Sequence, residues 1–487
     1  MFKKTSAYYH YIWLIVIIGL FVVAKLPALQ LPYFWDELGV YARAGLYLHD
    51  NGLGLLPKNL PPELSRGHPL LFSFIHGCGY LLFGDSVLGG HITGLLIAIA
   101  LLFAIYYIAR YHYNVQVALL AVLFTIVQPV FFAQSVLVLP EICLALFMLW
   151  AIHFWVIKKY VAYAIFATAA ILVKETAVII PVVVIVGEVI DILVQKKKGN
   201  TYKFGLGQLL VLTPFVIFIV FLIIQHAQNG WYFFPLHEAS INFSLTNIFD
   251  FAGDFFSFIF LEQGRIAVST VALILIIFAL IKKSMHYSRF SIFLLILFLG
   301  GVLFNSINFF MNRYLLFAII PLIIILSALI VKAGNKYKIL YIFIPVVFIA
   351  GMISMYGYEL YPVSKPDMTL EQKFHYDEDM SYQYYIEAQQ QTIDYILSGS
   401  NQNTKVFANF PLVLTFRDTR YGFTDKVNTI DFTLQKKAAY QRDFDFAAIC
   451  NPGAYDHHLP AGDSLQIIKN FSNRVVEVNI YTPTQPW

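Results

Sequence analysis

Charge is scarce in this chain. Only 13% of its 487 residues are charged, whereas a soluble domain carries about 25%. Hydrophobic residues make up 59% of the chain, more than one water-soluble core of this size could enclose. This scarcity excludes an ordinary soluble protein and predicts a polytopic membrane protein. The high aromatic content, 17%, agrees, because aromatic side chains favour membrane interfaces.

Several other signals are missing. There are three cysteines, Cys78, Cys143 and Cys450, and their placement predicts no disulfide framework. The chain has no HExxH motif and no cysteine pair at ligand spacing, so we expect no metal site and no cofactor beyond a divalent cation, which stays open. The first apolar segment lacks a small-residue cleavage site and is predicted to be a retained span.

Apolar runs of spanning length recur up to about residue 357. A run of about 20 residues crosses the hydrocarbon core, and several of these are slightly shorter. The eleven predicted spans are 11–30, 86–109, 115–133, 138–157, 160–173, 176–194, 205–225, 266–281, 290–304, 314–331 and 339–357.

The orientation of the spans depends on segment 69–83, which is apolar but short and contains proline, glycine and histidine. If it lies along the interface, nearly all lysine-rich loops fall on one side of the membrane. Positively charged loops stay cytoplasmic, so this arrangement is favoured. We therefore expect a multi-pass bacterial inner (plasma) membrane protein with a cytoplasmic N-terminus, and with loops 31–68 and 226–265 outside.

The predicted fold class is mainly α, with a small soluble α/β part at the C-terminal end. Residues 1–357 form the transmembrane domain, in which the outer loop 31–85 carries juxtamembrane helices, and residues 358–487 form an extracytoplasmic domain. Within that domain the pattern predicts one helix and three strands, at 380–398, 406–410, 446–450 and 475–481.

Acidic residues interrupt the apolar pattern on the predicted outer side. Asp36 and Glu37 follow the first span, with Tyr41 close by, and Asp50 and Glu141 are further acids on this side. In the structural interpretation, Asp36 and Glu37 form an acidic helix start, Asp50 begins a turn and Glu141 caps a helix. Their functional interpretation is a general base with substrate contacts, and we expect partial desolvation to raise the pKa of Asp36.

Cations lie on the same predicted side. Arg66 and His68 open segment 69–83, Lys174 and Glu175 interrupt a long apolar stretch, and Arg313 begins a late span. Structural alternatives are interfacial anchoring of the arginines and an ion pair between Lys174 and Glu175. The functional alternative is a phosphate site, because cations beside a departing phosphate stabilise its charge. A carboxylate base and several cations on one face suit transfer of a sugar from a lipid phosphate.

A series of short motifs strengthens this interpretation. The series resembles the bacterial branch of the GT-C glycosyltransferases, the protein O-mannosyltransferase and aminoarabinose-transferase relatives. The motifs are an acidic pair with a tyrosine at 36–41, GHPLL at 67–71, LFGDSVLGGHITGLL at 82–96, LPE at 139–141, KET at 174–176 and NRYLLFAIIP at 312–321.

The resemblance implies a GT-C fold with an extracytoplasmic site, a polyprenyl-phosphate sugar donor and inversion at the anomeric carbon. It implies Asp36 as the base with Glu37 in support, and Lys174 and Arg313 as donor-phosphate ligands. His68 stands where the family has lysine or histidine before proline.

The chain departs from the family pattern at three positions. Leu70 replaces the second proline of the turn, His91 replaces an arginine, and Pro321 comes late after the final motif. These departures leave the subfamily and the acceptor open.

Other functions compete with this one. A transporter or flippase of lipid-linked saccharides usually carries charges near the bilayer midplane, and the sequence places them at the outer ends. A glycan polymerase or ligase, and a non-catalytic surface protein, are further alternatives. The favoured prediction is a membrane glycosyltransferase with a polyprenyl-phosphate donor, an unknown acceptor and no nucleic-acid partner. Tyr41, Asp50, Glu141 and Glu175 are its predicted substrate contacts, and Arg66 and His68 its additional phosphate contacts.

Overall fold

A computed structural model gives the fold of the chain. It describes residues 9–199, 205–239, 241–266, 269–270, 273–274, 277, 288–307, 311–334, 340–355, 377–399, 404–424, 431–433, 445–451, 465–473 and 476–483.

Long apolar helices build the larger part of the molecule. Their leucine, isoleucine, valine and phenylalanine side chains form one continuous core between the helices, while other apolar side chains face outwards. An apolar outer surface suits lipid, which offers backbone groups no partner and so favours helices. The main helices are Tyr9–Lys25, Val87–His112, Val115–Ile126, Pro129–Gln134, Pro140–Val156, Tyr160–Val173, Ile179–Lys197, Thr213–Asn229, Arg289–Ile307, Leu316–Gly334 and Leu340–Ser354.

Two of these helices begin at a proline, Pro129 and Pro140. The predicted span 115–133 is two helices, because Pro129 lacks the backbone N–H that a continuous helix needs at that point. The chain therefore leaves the helix at Val127 and starts a new one with Pro129 in its first turn. Pro140 begins the next long helix in the same way.

Six of the described helices are long and apolar enough to cross a membrane. Four shorter apolar helices accompany them, Leu71–Phe83, Val115–Ile126, Pro140–Val156 and Tyr160–Val173. The predicted span 266–281 lies largely outside the described residues. The total of eleven spans and the orientation of the termini stay predictions.

Short helices fill the first and the long middle loop. The predicted juxtamembrane segment 69–83 is the 13-residue helix Leu71–Phe83, which is shorter than the roughly 20 residues needed to cross the bilayer. It packs against two neighbours in sequence, Ala42–Asn51 and Val87–His112. The remaining loop helices are Glu37–Tyr41 (a π-helical turn), Pro62–Ser65, Pro235–Ala239 and Leu245–Phe260.

Among the described residues, the C-terminal part is a mixed five-stranded sheet with one α-helix; the sequence predicted the helix and three of the strands, but not β2 and β4. The helix is Tyr382–Gly399, and the strands are β1 Lys405–Ala408, β2 Asp431–Thr433, β3 Phe446–Asn451, β4 Leu465–Ser472 and β5 Glu477–Pro483. Their order is β2-β1-β3-β5-β4. Strand β1 is parallel to β2 and β3, whereas β5 is antiparallel to β3 and β4. The α/β character predicted for the tail is confirmed, and the domain boundary at 357 stays a prediction.

The C-terminal part packs onto the segment that follows the first long helix. The Tyr33 amide donates a hydrogen bond of 3.1 Å to the carbonyl of Tyr421. The Phe34 ring lies 5.4 Å from the Tyr382 ring, and the Trp35 ring meets Phe410 edge-on. These contacts bring the residues just before Asp36 under the C-terminal part and fix their position.

Candidate active site

Asp36 and Arg313 form the centre of the site, although 277 positions separate them in sequence. The side chain of Asp36 is 19% exposed, and its Oδ2 atom accepts a hydrogen bond from a terminal nitrogen of Arg313. The guanidinium of Arg313 is fully buried. The structure therefore brings the predicted base together with one predicted phosphate ligand.

The pKa of Asp36 moves against the expectation. Burial alone would raise it, but the adjoining Arg313 guanidinium outweighs burial, with smaller contributions from Arg66 and Lys174. The pKa of Asp36 therefore lies below the ordinary aspartate value, and the prediction of a raised pKa is wrong for this state. Asp36 is ionised at neutral pH, the form that can accept a proton.

The backbone beside this group is strained. Trp35 adopts φ of 42° and Arg66 adopts φ of 45°, a left-handed conformation that non-glycine residues rarely take. Such conformations cost of order 1–3 kcal/mol and concentrate at functional sites. Both predicted site segments thus carry a strained residue.

Glu37 has a different environment from Asp36. It is fully buried, and its Oε1 atom accepts hydrogen bonds from the Val138 amide at 2.6 Å and from His91 Nε2 at 3.1 Å. Its Oε2 atom accepts from the Phe34 amide at 3.0 Å. Glu37 thus ties the turn to the first part of helix Val87–His112 and to the segment that precedes helix Pro140–Val156, and it fixes the backbone beside Asp36. Its support of the base stays a prediction; its partner His91 was noted in the sequence only as a departure from the family pattern.

Lys174 and Glu141 pair in the interior beside Arg313. The Lys174 Nζ atom lies 3.0 Å from Glu141 Oε1 and 3.5 Å from the centre of the Tyr314 ring. The Arg313 Nε atom is 3.9 Å from the same oxygen of Glu141. Lys174 is therefore held by Glu141 and not by an ion pair with Glu175. The Glu141 carboxylate lies between the two cations, Lys174 and Arg313.

Glu175 faces the other way, towards His68 and the middle loop. Its carboxylate oxygens lie 2.9 and 3.0 Å from His68 Nδ1, and the His68 ring is 4.9 Å from the ring of His237. Gly67, with φ of 75°, allows Phe234 to approach the turn closely. The predicted turn at 67–69 is thus bound both to the KET segment and to the loop that carries His237.

The same three residues offer a possible ligand set for a metal ion. One ligand atom each from His68, Glu175 and His237 lies within 4.8 Å of the others. Two histidines and a glutamate are typical of protein zinc sites with an open position. Burial lowers the pKa of His237 to about 4, which keeps the imidazole neutral and able to coordinate. This grouping joins distant segments, so the spacing of residues in the sequence did not indicate it.

A small cavity adjoins this turn. It is lined by Tyr41, His68, Phe72 and Val173, among others. The Tyr41 ring stacks on His68 with the ring centres 6.0 Å apart. Tyr41, a predicted substrate contact, therefore borders open space beside the predicted phosphate ligands.

Asp50 lies in another cluster, at the edge of the C-terminal part. Its oxygens accept hydrogen bonds of 2.9 and 3.1 Å from Arg420, which also binds Asp418 and lies 3.6 Å from Asp85. The structure therefore does not bring Asp50 together with the Asp36–Arg313 centre. Its predicted contact with substrate stays a prediction, and Arg420 is a partner that sequence reasoning missed.

Asp377 is the most consequential residue that sequence reasoning missed. It lies in the predicted soluble tail, yet it is 1% exposed and accepts a hydrogen bond from the second terminal nitrogen of Arg313. Its only sequence signal is membership of the acidic run Asp377-Glu378-Asp379. Acidic runs usually lie on solvated surfaces, so this signal could not indicate burial.

Comparisons with known proteins agree with this architecture. Residues 67–224 match the family of dolichyl-phosphate-mannose-protein mannosyltransferases. The structure of ArnT from Cupriavidus metallidurans bound to undecaprenyl phosphate is similar, with a TM-score of 0.58, 13% identity and coverage of 96% of this chain and 98% of that chain. The same protein in the apo state gives a TM-score of 0.56, 12% identity and coverage of 96% and 97%. No curated protein sequence matches the chain.

Proposed function

We propose that this chain is a GT-C membrane glycosyltransferase with a polyprenyl-phosphate sugar donor, because its fold is similar to that of ArnT and residues 67–224 match a mannosyltransferase family. The observation that carries the proposal is the contact of Asp36 with Arg313, beside the Lys174–Glu141 pair. An ionised carboxylate and two buried cations at one point are the groups that this reaction requires.

The donor class is argued from charge. A sugar linked through a polyprenyl phosphate leaves behind a phosphate, whose developing negative charge needs cations close to the broken bond. Lys174, Arg313, Arg66 and His68 are our candidates for this role. The similar ArnT structure contains undecaprenyl phosphate, a lipid of the class proposed here.

The proposed reaction is a single displacement. Asp36 accepts the proton of an acceptor hydroxyl or amine, whose oxygen or nitrogen attacks the anomeric carbon. The bond from that carbon to the phosphate oxygen breaks, and the electron pair leaves with the phosphate. Attack opposite to the leaving group inverts the anomeric configuration, which is why we propose an inverting enzyme.

The proposed setting is the extracytoplasmic face of the membrane. There the C-terminal part covers the segment before Asp36 and helps to shield the site from water. The acceptor, a lipid, a glycan or a protein, approaches from this side. A transporter or flippase is not favoured, because residues 67–224 match a mannosyltransferase family and the fold is similar to that of ArnT.

The test is a transfer assay with purified protein in lipid vesicles. We would add polyprenyl-phosphate sugars with a radiolabelled sugar, together with a membrane extract as the source of acceptors. The expected result is label in a new product that the Asp36→Asn variant does not form. Absence of transfer from every polyprenyl-phosphate sugar tested, with the label remaining on the lipid, would contradict the proposal.

A further inference from the structure

Arg313 is held between two carboxylates from opposite parts of the chain. One terminal nitrogen of its guanidinium donates to Asp36, and the other donates to Asp377. Its Nε atom has no hydrogen-bond partner among the described residues. Because Arg313 is fully buried, no ligand can reach its terminal nitrogens while both carboxylates stay in place.

The position of Asp377 is set by the backbone that follows it. The Met380 amide donates a hydrogen bond of 2.7 Å to the carbonyl of Met355. The Met380 sulfur lies 3.5 Å from the Nζ atom of the buried Lys25. The Glu378 carbonyl accepts a hydrogen bond of 3.3 Å from Gln263. These contacts anchor the segment to three separate parts of the membrane domain. They place the carboxylate of Asp377 against Arg313.

We propose that Asp377 occupies the position of the donor phosphate at Arg313, and that donor binding displaces its carboxylate. The inference rests on the proposed function, because it needs Arg313 as a donor-phosphate ligand. A carboxylate and a phosphate both present two oxygens to the forked guanidinium, so they compete for the same nitrogens. Of the two carboxylates, Asp36 must stay beside the reacting carbon to accept the proton, which leaves Asp377 to move.

The balance of charge favours replacement of the Asp377 carboxylate by the donor phosphate over binding of the phosphate beside it. Three acidic side chains, Asp36, Glu141 and Asp377, meet two basic ones, Arg313 and Lys174, in this buried group. A donor phosphodiester adds one more negative charge, and unbalanced buried charge is costly. Replacement of the Asp377 carboxylate by the phosphate leaves the total unchanged.

Displacement of Asp377 links donor binding to the C-terminal part. Five residues after Asp377, Tyr382 begins the helix of that part and packs on Phe34, with the ring centres 5.4 Å apart. Phe34 lies two residues before Asp36. Movement of the Asp377 segment therefore reaches the neighbourhood of the proposed base along a short path of packed side chains.

The experiment measures binding of undecaprenyl phosphate to the purified full-length protein in lipid nanodiscs. Asp377→Asn removes the competing charge and keeps the shape of the side chain. We expect its Kd to fall about tenfold. The apparent Kd equals the intrinsic Kd divided by the fraction of protein whose site is free of the Asp377 carboxylate, and the variant raises that fraction. Glu378→Gln is the matched control, since this neighbouring acid faces Arg265, and its Kd should equal that of the wild type.

An unchanged or higher Kd in Asp377→Asn would overturn the inference. Arg313→Gln separates this outcome from failure of the proposed function. If Arg313→Gln weakens binding while Asp377→Asn does not tighten it, the donor site stands and the exchange is wrong. If Arg313→Gln leaves binding unchanged, Arg313 is no phosphate ligand and the exchange is overturned with it, while the transfer assay still judges the function.

A measurement on the wild type covers the case in which Asp377→Asn does not fold. Hydrogen exchange of the Met380 amide, which donates to the Met355 carbonyl, is followed with and without undecaprenyl phosphate. We expect faster exchange with the lipid, because release of Asp377 loosens the segment. Slower or equal exchange would overturn the inference.

Discussion

At the scale of single residues, the adjacent acids Asp36 and Glu37 separate into two roles. Asp36 meets Arg313 and keeps some exposure, whereas Glu37 is buried and bonded to two backbone amides and His91. The sequence placed both at the site, but two neighbouring carboxylates look alike until their partners are known. Apart from the Phe34 amide, which is three positions from Glu37, those partners lie 54 to 277 positions away, beyond the reach of local patterns.

This division predicts opposite behaviour of two isosteric variants. Asp36→Asn should fold normally and lose about 100-fold or more of the transfer rate, because a positioned base contributes that much. Glu37→Gln should instead lower the free energy of unfolding by about 3 kcal/mol, the cost of breaking a buried charged network. Transfer rates and thermal unfolding of both proteins test the division. Equal loss of activity at equal stability would contradict it.

Asp377 carries a prediction about pH. Burial raises its pKa to about 7, although Arg313 opposes the shift; Asp36 and Glu141, the acids that face it, add to the rise. Below pH 7 the side chain gains a proton, loses its charge and holds Arg313 less strongly. Donor affinity should therefore increase as the pH falls from 8 to 6.

The comparison with Asp377→Asn isolates this effect, because other groups that titrate in this range are common to both proteins. The ratio of wild-type to variant Kd for undecaprenyl phosphate should approach one at pH 6 and grow towards pH 8. A ratio that is independent of pH would show that Asp377 does not titrate in this range.

At the scale of elements, the length of the apolar runs predicted the positions of most long helices. The predicted 160–173 coincides with Tyr160–Val173, and helix 380–398 with Tyr382–Gly399. The break before Pro129 was missed, because the apolar run continues through a residue that interrupts the backbone hydrogen bonds. The middle loop was left unassigned, and its His237 reaches the site through tertiary contacts alone.

The KET segment, residues 174–176, gives a prediction about the end of helix Tyr160–Val173. Lys174 lies at the end of Tyr160–Val173 and pairs with Glu141, from the start of another helix. Lys174→Gln should raise the Kd for undecaprenyl phosphate about tenfold, through loss of one charged contact. Lys159→Gln, at the exposed opposite end of the same helix, serves as the control and should bind as the wild type. Equal Kd values for the two variants would remove Lys174 from the phosphate site.

At the scale of the whole molecule, the fold class was predictable from composition and periodicity, and the comparisons confirm it. The assembly of the site was not. The sequence assigned the tail to a separate soluble domain, because it has no apolar run of spanning length. Nothing in that pattern indicates that Asp377 enters the interior or that Arg420 binds the first loop.

At this scale we predict that the first loop and the C-terminal part lie on the same, extracytoplasmic face of the membrane. In a Cys78→Ser background, Asn51→Cys in the first loop and Arg417→Cys in the C-terminal part should react with a membrane-impermeant maleimide from outside intact cells. All three positions, including Lys159, are exposed. Lys159→Cys should react only after permeabilisation. Labelling of Asn51→Cys and Arg417→Cys under different conditions would contradict the extracytoplasmic site.

The reach of Asp377 into the interior also matters for anyone who shortens this protein. A truncation at residue 357 would appear to remove only an accessory soluble module. It would in fact take away one of the two carboxylates that accept hydrogen bonds from the terminal nitrogens of Arg313. Loss or gain of activity in such a fragment would therefore report on the interior of the membrane part as much as on the missing module.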